Sequence, residues 1–361
     1  MRELDNGSFF LGLKRYENIV QNTSIIELLS CVFRVIYVCA KARKHTFEKE
    51  VNLDMFKEKF GIEIEFTGIT RNKASKVVAE VINGTITETR DYYDTKEIKA
   101  LDGRKWKVMY DGSLRCQTKR NGEIISAGRD YSCELVSPIL AYDEDIETLQ
   151  EIVRALRKSG AFTNASCGIH IHLDGADHDV RTIRNFINII ASKNDLLYKA
   201  LEIKQERMRF CKKMDEHLIT NINKKHPKTL AQLADIWYQG YYGSRNTHYH
   251  DSRYHFLNLH SFFTGNHTVE LRGFNSELHS GKVRSYICLS LALNHQALTQ
   301  KCASSKKPQV ENEKFAMRTY LNRIGMIGEE FKNCRVHLTN ALSGCSAWRF
   351  GSREATVGGA R

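Results

Sequence analysis

Three short segments of the chain share one unusual alternation of residue types. "GIEIEF" (61–66), "GIHIHL" (168–173) and "TVELRGF" (268–274) each place two ionisable side chains two positions apart, between aliphatic ones. Because successive side chains of a strand point to opposite faces, each segment predicts a strand with one apolar and one ionisable face. The ionisable pairs are Glu63 and Glu65, His170 and His172, and Glu270 and Arg272.

The rest of the pattern predicts an α+β fold. Amphipathic helical patterns cover residues 71–84, 143–160, several segments between 178 and 239, 279–300, 311–325 and 328–343. Strand patterns cover 60–69, 105–112, 131–140, 255–263 and 267–275, with hairpin turns at Asp102-Gly103 and Asn121-Gly122. We therefore expect a mainly antiparallel, curved sheet with a concave active-site face and helices packed around it.

The two ends of the chain differ from its centre. We predict an N-terminal helical extension at 1–57, a catalytic domain at 58–345 and a disordered tail at 346–361. The segment 24–40 is strongly apolar, but it contains Glu27 and Arg34 and is short for a membrane span, which favours a buried or docking helix over membrane contact. None of the ten cysteines forms a Cys-x-x-Cys pair and several lie in apolar segments. Reduced thiols of this kind predict a cytoplasmic protein.

The ionisable strand faces combine carboxylates, imidazoles and one guanidinium, without lysine. For any one strand the ordinary interpretation is a solvent-facing surface. Together, these groups suit divalent cations, because Mg²⁺ and Mn²⁺ favour oxygen ligands and Mn²⁺ also accepts imidazole. Bound cations would neutralise phosphates, and Arg272 would add a guanidinium for a transferred phosphoryl group.

Other segments supply further candidates. Glu134 lies in "SCELVSPIL", and Asp111 in "YDGSL" is either a turn residue or a carboxylate that meets a substrate amine or a metal. The region 244–261 is rich in Arg and His, and Arg253 is the residue we expect on a phosphate. Its neighbours His255, Asn258 and His260 are candidates for lining the site. The net charge of +12 suits anionic partners, but the basic residues are spread along the chain, so no specific nucleic acid is expected.

In their order and spacing, these motifs resemble the putative amidoligase family. The motifs are E-x-E, D-G-S, E-x-V-S-P, G-x-H-x-H, R…N-L-H-S and V-E-x-R-x-F-N, and the similarity runs from about residue 60 to 300. That family comprises carboxylate–amine ligases related to glutamine synthetase and glutamate–cysteine ligase. The resemblance implies a glutamine synthetase-like catalytic fold, ATP with Mg²⁺ or Mn²⁺ as cofactors, and amide formation through an acyl phosphate.

The resemblance also implies roles for single residues. The metal ligands would be Glu63, Glu65, Glu134, His170 and Glu270. Nucleotide phosphates would meet Glu63, His172, Arg253 and Arg272, and the catalytic groups would be Glu134, Arg253 and Arg272. No segment matches the ammonium pocket of glutamine synthetase or the substrate signature of glutamate–cysteine ligase. The carboxylate donor and the amine acceptor therefore stay open, and the family context favours a peptide or protein.

Two other functions remain open from the residues alone. A metal-dependent hydrolase is one, because H-x-H also occurs at zinc sites. A non-catalytic module that binds nucleic acid or a membrane through its basic surface is the other. A P-loop enzyme is not expected, because the chain has no Walker A motif.

Overall fold

The computed structural model describes residue 55 and residues 57–349. Almost all of the predicted extension at 1–57, including its apolar segment 24–40, and most of the tail at 346–361 therefore lie outside the described residues. Among the described residues, no helix is long and apolar enough to cross a membrane.

The described residues form a large sheet and a separate hairpin. The large sheet has nine strands in the order β10-β11-β9-β1-β7-β4-β3-β2, with β8 also pairing with β1, and β5 pairs with β6 in the hairpin. Every strand pairing is antiparallel. The strands are β1 (Lys59–Phe66), β2 (Thr85–Glu88), β3 (Lys96–Lys99), β4 (Lys105–Met109), β5 (Gln117–Arg120), β6 (Glu123–Ser126), β7 (Cys133–Val136), β8 (Leu140–Ala141), β9 (Gly168–Asp174), β10 (Leu257–Asn258) and β11 (Thr268–Asn275).

Helices surround the sheet and share its core, so the predicted α+β class with a mainly antiparallel sheet is confirmed. The α-helices are α1 (Arg71–Ile82), α2 (Tyr142–Lys158), α3 (Val180–Ala200), α4 (Glu216–Lys225), α5 (Leu230–Trp237), α6 (His260–Thr264), α7 (Ser280–Thr299), α8 (Glu313–Arg323) and α9 (Lys332–Thr339). Buried side chains of α2 and α7, such as Leu149 and Ile287, belong to the same apolar cluster as Ile64 and Ile171 of the sheet. Burying this apolar surface is the main favourable term in folding.

The predicted alternation of the three strands is present. Their aliphatic side chains face the core and are at most 1% exposed, apart from Phe66, which is equally buried but aromatic. The opposite face of the same strands carries the ionisable pairs. The buried residues on the core face are Ile62, Ile64, Phe66, Ile169, Ile171, Leu173, Val269 and Leu271.

Two predicted boundaries are wrong, and each has a local cause. Helix α1 ends at Ile82 and is capped by Asn83, which adopts the left-handed conformation (φ 50°), whereas the predicted helix extended to Gly84. Asn tolerates this conformation better than most residues because its short amide bonds locally to the backbone. The predicted strand at 255–263 contains only the short strand β10, because the Oδ1 of Asn258 accepts a hydrogen bond from the His260 N–H (2.8 Å) just where α6 begins.

The Asn121-Gly122 turn is confirmed. It joins β5 to β6 with positive φ at both residues, 51° and 86°. Positive φ at both central residues is what the tightest hairpin turn requires, and Asn-Gly is the pair that adopts it most readily.

Candidate active site

A cavity of about 590 Å³ lies on the ionisable face of the sheet. The ionisable strand residues that line it are Glu63 and Glu65 of β1, Glu134 of β7, His170 of β9 and Arg272 of β11. Six aromatic side chains also line the cavity, and they are Tyr92, Tyr93, Tyr110, Phe210, Tyr249 and Tyr254. A volume of this size is typical of small-molecule sites.

Strand register brings the candidate ligands together. Glu63 is directly opposite His170, Glu65 is opposite Glu134, and Glu270 is opposite His172. Side chains that are opposite one another on antiparallel strands have Cβ atoms roughly 5 Å apart. Residues that are far apart in sequence therefore become immediate neighbours.

His170 is at the centre of this cluster. Its Nδ1 lies 2.9 Å from Glu63 Oε2 and 3.6 Å from Glu270 Oε1, and its Nε2 lies 3.7 Å from Glu65 Oε1. Burial, and secondly the charge of Arg272, lower the pKa of His170 to about 4, although Glu63 and Glu270 oppose this. At neutral pH the imidazole is therefore neutral, which is the form that binds metals.

The cluster fits a divalent cation. Two groups, Glu63–His170–Glu270 and Glu65–Glu134–His170, each offer one ligand atom per residue, all within 4.8 Å of one another. All five residues expected as metal ligands are in these groups, and His170 belongs to both. Carboxylate oxygens with one imidazole nitrogen form a donor set suited to Mg²⁺ or Mn²⁺.

Burial and neighbouring negative charges raise the pKa values of two carboxyl groups in the cluster. Burial, and secondly the charge of Asp111, raise the pKa of Glu65 to about 8. Burial and the neighbouring charges of Glu63 and Glu65 raise the pKa of Glu134 well above its usual range. Without a cation, Glu65 therefore retains its proton at neutral pH, and a bound cation would displace it.

His172 has the opposite charge state to His170. Its Nε2 lies 3.2 Å from Glu63 Oε1. Burial disfavours its charged form, but Glu63 and Glu270 raise its pKa to about 9. Because a protonated imidazole cannot bind a metal but can meet an anion, this state is compatible with the expected contact with phosphate.

Glu270 and Arg272 form a buried ion pair at the β11 side of the cluster. Arg272 donates to Glu270 Oε1, and the amide of Asn258 donates to Glu270 Oε2 at 2.6 Å. Burial would raise the pKa of Glu270, but the charges of Arg272 and His172 lower it to about 2. Glu270 is therefore ionised, with both of its oxygens held in place.

The remaining candidates separate into two sets. Arg253 and Asp111 line the cavity, and Asp111 Oδ1 also accepts the Ser113 N–H (2.6 Å), as a turn residue does. Asn258 is not among the residues that line the cavity, but its amide donates to Glu270. His255 and His260 lie away from the cavity and support the fold, as their contacts below show.

His255 and His260 hold the loop that precedes β10. The Nδ1 of His255 bonds the carbonyl of Ser252 (3.0 Å). The Nδ1 of His260 bonds the hydroxyl of Tyr238 (2.8 Å), and its Nε2 bonds the carbonyl of Thr247 (3.0 Å). Their expected place in the lining of the site is therefore not supported.

Two features of the cavity have no signal in the sequence. Arg207 lines the cavity while only 2% exposed, although its segment "KQERMRF" contains no motif. The hydroxyls of Tyr93 and Tyr249 lie 2.9 Å apart and join two loops at the cavity. Both contacts depend on tertiary structure that no local pattern encodes.

Comparison with known proteins identifies a family for the chain. A family model described as "Putative amidoligase enzyme" matches residues 57–294, which include every strand of the large sheet. No curated protein matches the chain.

Proposed function

Because the chain belongs to this amidoligase family, we propose that it is an ATP-dependent carbon–nitrogen ligase with a glutamine synthetase-like fold. It joins a carboxylate donor to an amine acceptor in the cytoplasm, and we propose a peptide or protein as the substrate. The cofactors are ATP and Mg²⁺ or Mn²⁺.

One observation carries the proposal. Four carboxyl groups and the imidazole of His170, from β1, β7, β9 and β11, converge beside the guanidinium groups of a single cavity. Phosphoryl transfer needs little covalent chemistry from the protein, and depends on positioning and on compensation of phosphate charge. This combination of anionic ligands for cations and guanidinium groups for phosphate meets both needs.

The residues have distinct proposed roles. Glu63, Glu65, Glu134, His170 and Glu270 would hold the cations, whose positive charge would screen the phosphates of ATP. Arg272 and Arg253 would donate to the oxygens of the transferred phosphoryl group, and His172 would contact the nucleotide phosphates. Glu134, which lines the same cavity as Asp111, would act near the substrate.

The proposed reaction has two steps. A carboxylate oxygen of the donor attacks the γ-phosphorus of ATP, and the bond to ADP breaks, so that an acyl phosphate forms. The acceptor amine then attacks the acyl carbon, inorganic phosphate leaves, and the amine loses a proton. The guanidinium of Arg272 compensates the negative charge of the phosphoryl oxygens in both steps.

A metal-dependent hydrolase is less well supported. Such a site would use His170 and His172 as a pair of neutral ligands. Among the described residues, His170 belongs to both candidate cation groups and His172 to neither, and the high pKa of His172 keeps it charged at neutral pH.

The test is incubation of the full chain with ATP, Mg²⁺ and a peptide extract, followed by mass spectrometry. We expect products lighter than the summed reactants by one water, together with ADP and phosphate. Glu270→Gln should abolish them, whereas Glu123→Gln, which removes a similar charge from the exposed strand β6, should not. Peptide cleavage that needs the cation but not ATP would instead favour the hydrolase.

A further inference from the structure

A buried arginine links two of the strands that carry the site. Arg207 ends a short 3-10 helix, Gln205–Arg207, and its side chain is 2% exposed. Its Nη2 donates to the carbonyl of Arg272 (2.9 Å), and its Nη1 lies 3.8 Å from Glu65 Oε2. The guanidinium thus contacts β1 and β11 at the same time.

The contact with Arg272 supplies a hydrogen bond at an irregular position of the sheet. The pairing of β11 with β9 shifts register between Leu271 and Phe274, which is where Arg272 lies. A residue inside such an irregularity loses its regular ladder partner, so its carbonyl needs another donor. Arg207 supplies that donor and so fixes the main chain from which the Arg272 side chain projects.

The contact with Glu65 determines which of its oxygens faces the cluster. Glu65 Oε2 accepts the N–H of Gly168 (2.5 Å) and faces Arg207, while Oε1 faces His170. One oxygen is therefore held by the protein and the other is left for the cation group Glu65–Glu134–His170. Groups that orient a ligand in this way are as important to a metal site as the ligand itself.

Gly168 leaves the space that this arrangement needs. It lies in the extended strand β9, so its backbone conformation does not require glycine. A Cβ at this position would overlap the Nη1, Nη2 and Cζ atoms of Arg207. Even an alanine would therefore displace the guanidinium.

We propose that Arg207 is a positioning residue that holds Glu65 and the Arg272 main chain in place for the cation and phosphate groups, and that Gly168 is glycine to admit it. This inference rests on the proposed cation site. It assigns Arg207 no direct contact with a substrate.

The test is Mn²⁺ binding by the full chain, measured by calorimetry, with variants Arg207→Met, Gly168→Ala and both together. Arg207→Met removes a positive charge near the cation, which by electrostatics alone would tighten binding. Loss of positioning predicts the opposite, a rise in Kd of about 10- to 100-fold. The control Arg209→Met removes an exposed charge two residues away and should leave Kd unchanged within about twofold.

The double variant separates positioning from general damage. Gly168→Ala should weaken Mn²⁺ binding on its own, but it should add little to Arg207→Met, because the shorter side chain no longer occupies the space that the new methyl needs. Arg207→Met should lower the unfolding temperature, because the buried carbonyl of Arg272 loses its donor, so Mn²⁺ binding is measured at a temperature at which circular dichroism shows the variant to be folded. If Arg207→Met does not fold, Arg207→Gln, which is equally short, replaces it in the cycle.

Each outcome has a defined meaning. Additive losses, or an Arg207→Met variant that binds Mn²⁺ as tightly as the parent chain, would overturn this inference while leaving the proposed function intact. A parent chain that binds no Mn²⁺ would overturn the proposed cation site and this inference with it.

Discussion

At the scale of single residues, the two histidines of "GIHIHL" show how much the surroundings decide. Both project from the same face of β9, two positions apart. His170 lies near Arg272 and is neutral at pH 7, whereas His172 lies between Glu63 and Glu270 and is charged. The sequence places both imidazoles on one face, but only the neighbouring strands determine which of them carries a proton.

Cation affinity should depend on pH through Glu65. Because the pKa of Glu65 is about 8 without a cation, binding at lower pH must displace its proton, so affinity should fall as pH drops from 9 to 6.5. The pKa of about 4 at His170 means that this residue contributes only under more acidic conditions. Calorimetry with Mn²⁺ in buffers of different ionisation enthalpy would measure the released protons, and a flat affinity over this range would contradict the assignment.

Removing the Glu65 charge should stabilise the cation-free chain. Between about pH 4.5 and 8 the folded chain keeps a proton on Glu65 that the unfolded chain has released, so the free energy of unfolding falls as pH rises through this window. The free energy of unfolding falls by about 1.4 kcal/mol for each unit by which the pKa of Glu65 in the folded chain exceeds its value in the unfolded chain. Glu65→Gln should therefore raise the unfolding temperature at pH 9 but not at pH 4.5, and Glu123→Gln is the control; equal effects at both pH values would argue against a raised pKa.

At the scale of elements, the two faces of a strand and a tight turn could be predicted from the sequence, whereas the ends of elements and the pairing of strands could not. The apolar and ionisable faces of β1, β9 and β11 follow from a repeat of two residues, and the Asn121-Gly122 turn follows from backbone preference. The pairing of β1 between β9 and β7 joins segments that are distant in sequence, and no local pattern specifies it. The same limit explains why the candidate ligands were foreseeable and Arg207 was not.

The junction between β10 and α6 should be sensitive at Asn258. Its side-chain oxygen accepts the N–H of His260, the first residue of α6, and its amide nitrogen donates to the buried Glu270. Asn258→Ala leaves a buried carboxylate oxygen without a donor, which should cost about 1–3 kcal/mol of the free energy of unfolding. Chemical denaturation would measure this loss.

The matched variant Asn258→Asp keeps the shape but places a second carboxylate beside Glu270. The added repulsion should make Asn258→Asp less stable at pH 8 than at pH 5, where the new carboxyl can take up a proton more easily. A stability that does not depend on pH would contradict the contact with Glu270.

At the scale of the whole molecule, the site couples ligand binding to the stability of the large sheet. A ligand that binds only the folded chain stabilises it by RT ln(1 + L/Kd), where L is the free ligand concentration. The proposed cation ligands come from β1, β7, β9 and β11, so bound cations would link these four strands to one another.

ATP with Mg²⁺ should therefore raise the unfolding temperature more than ATP alone. The difference should disappear in Glu63→Gln, which loses a residue of one cation group, and should persist in Glu123→Gln. Thermal denaturation at several Mg²⁺ concentrations would check this. Equal shifts with and without Mg²⁺ would count against a shared cation and nucleotide site.

The order of strands in the large sheet has a consequence for how the chain acquires its site. At the centre of the sheet, β1 pairs with β9 and β9 pairs with β11. Glu63 and Glu270 must therefore come together although they are far apart in the 361-residue chain. Such distant pairings form slowly, because the entropy of closing each loop is lost before the contacts repay it. During refolding, the cation group that contains Glu270 should therefore form only after β11 has joined the sheet, whereas the group Glu65–Glu134–His170 does not depend on β11. A chain released from synthesis before residue 275 would lack the first of these groups.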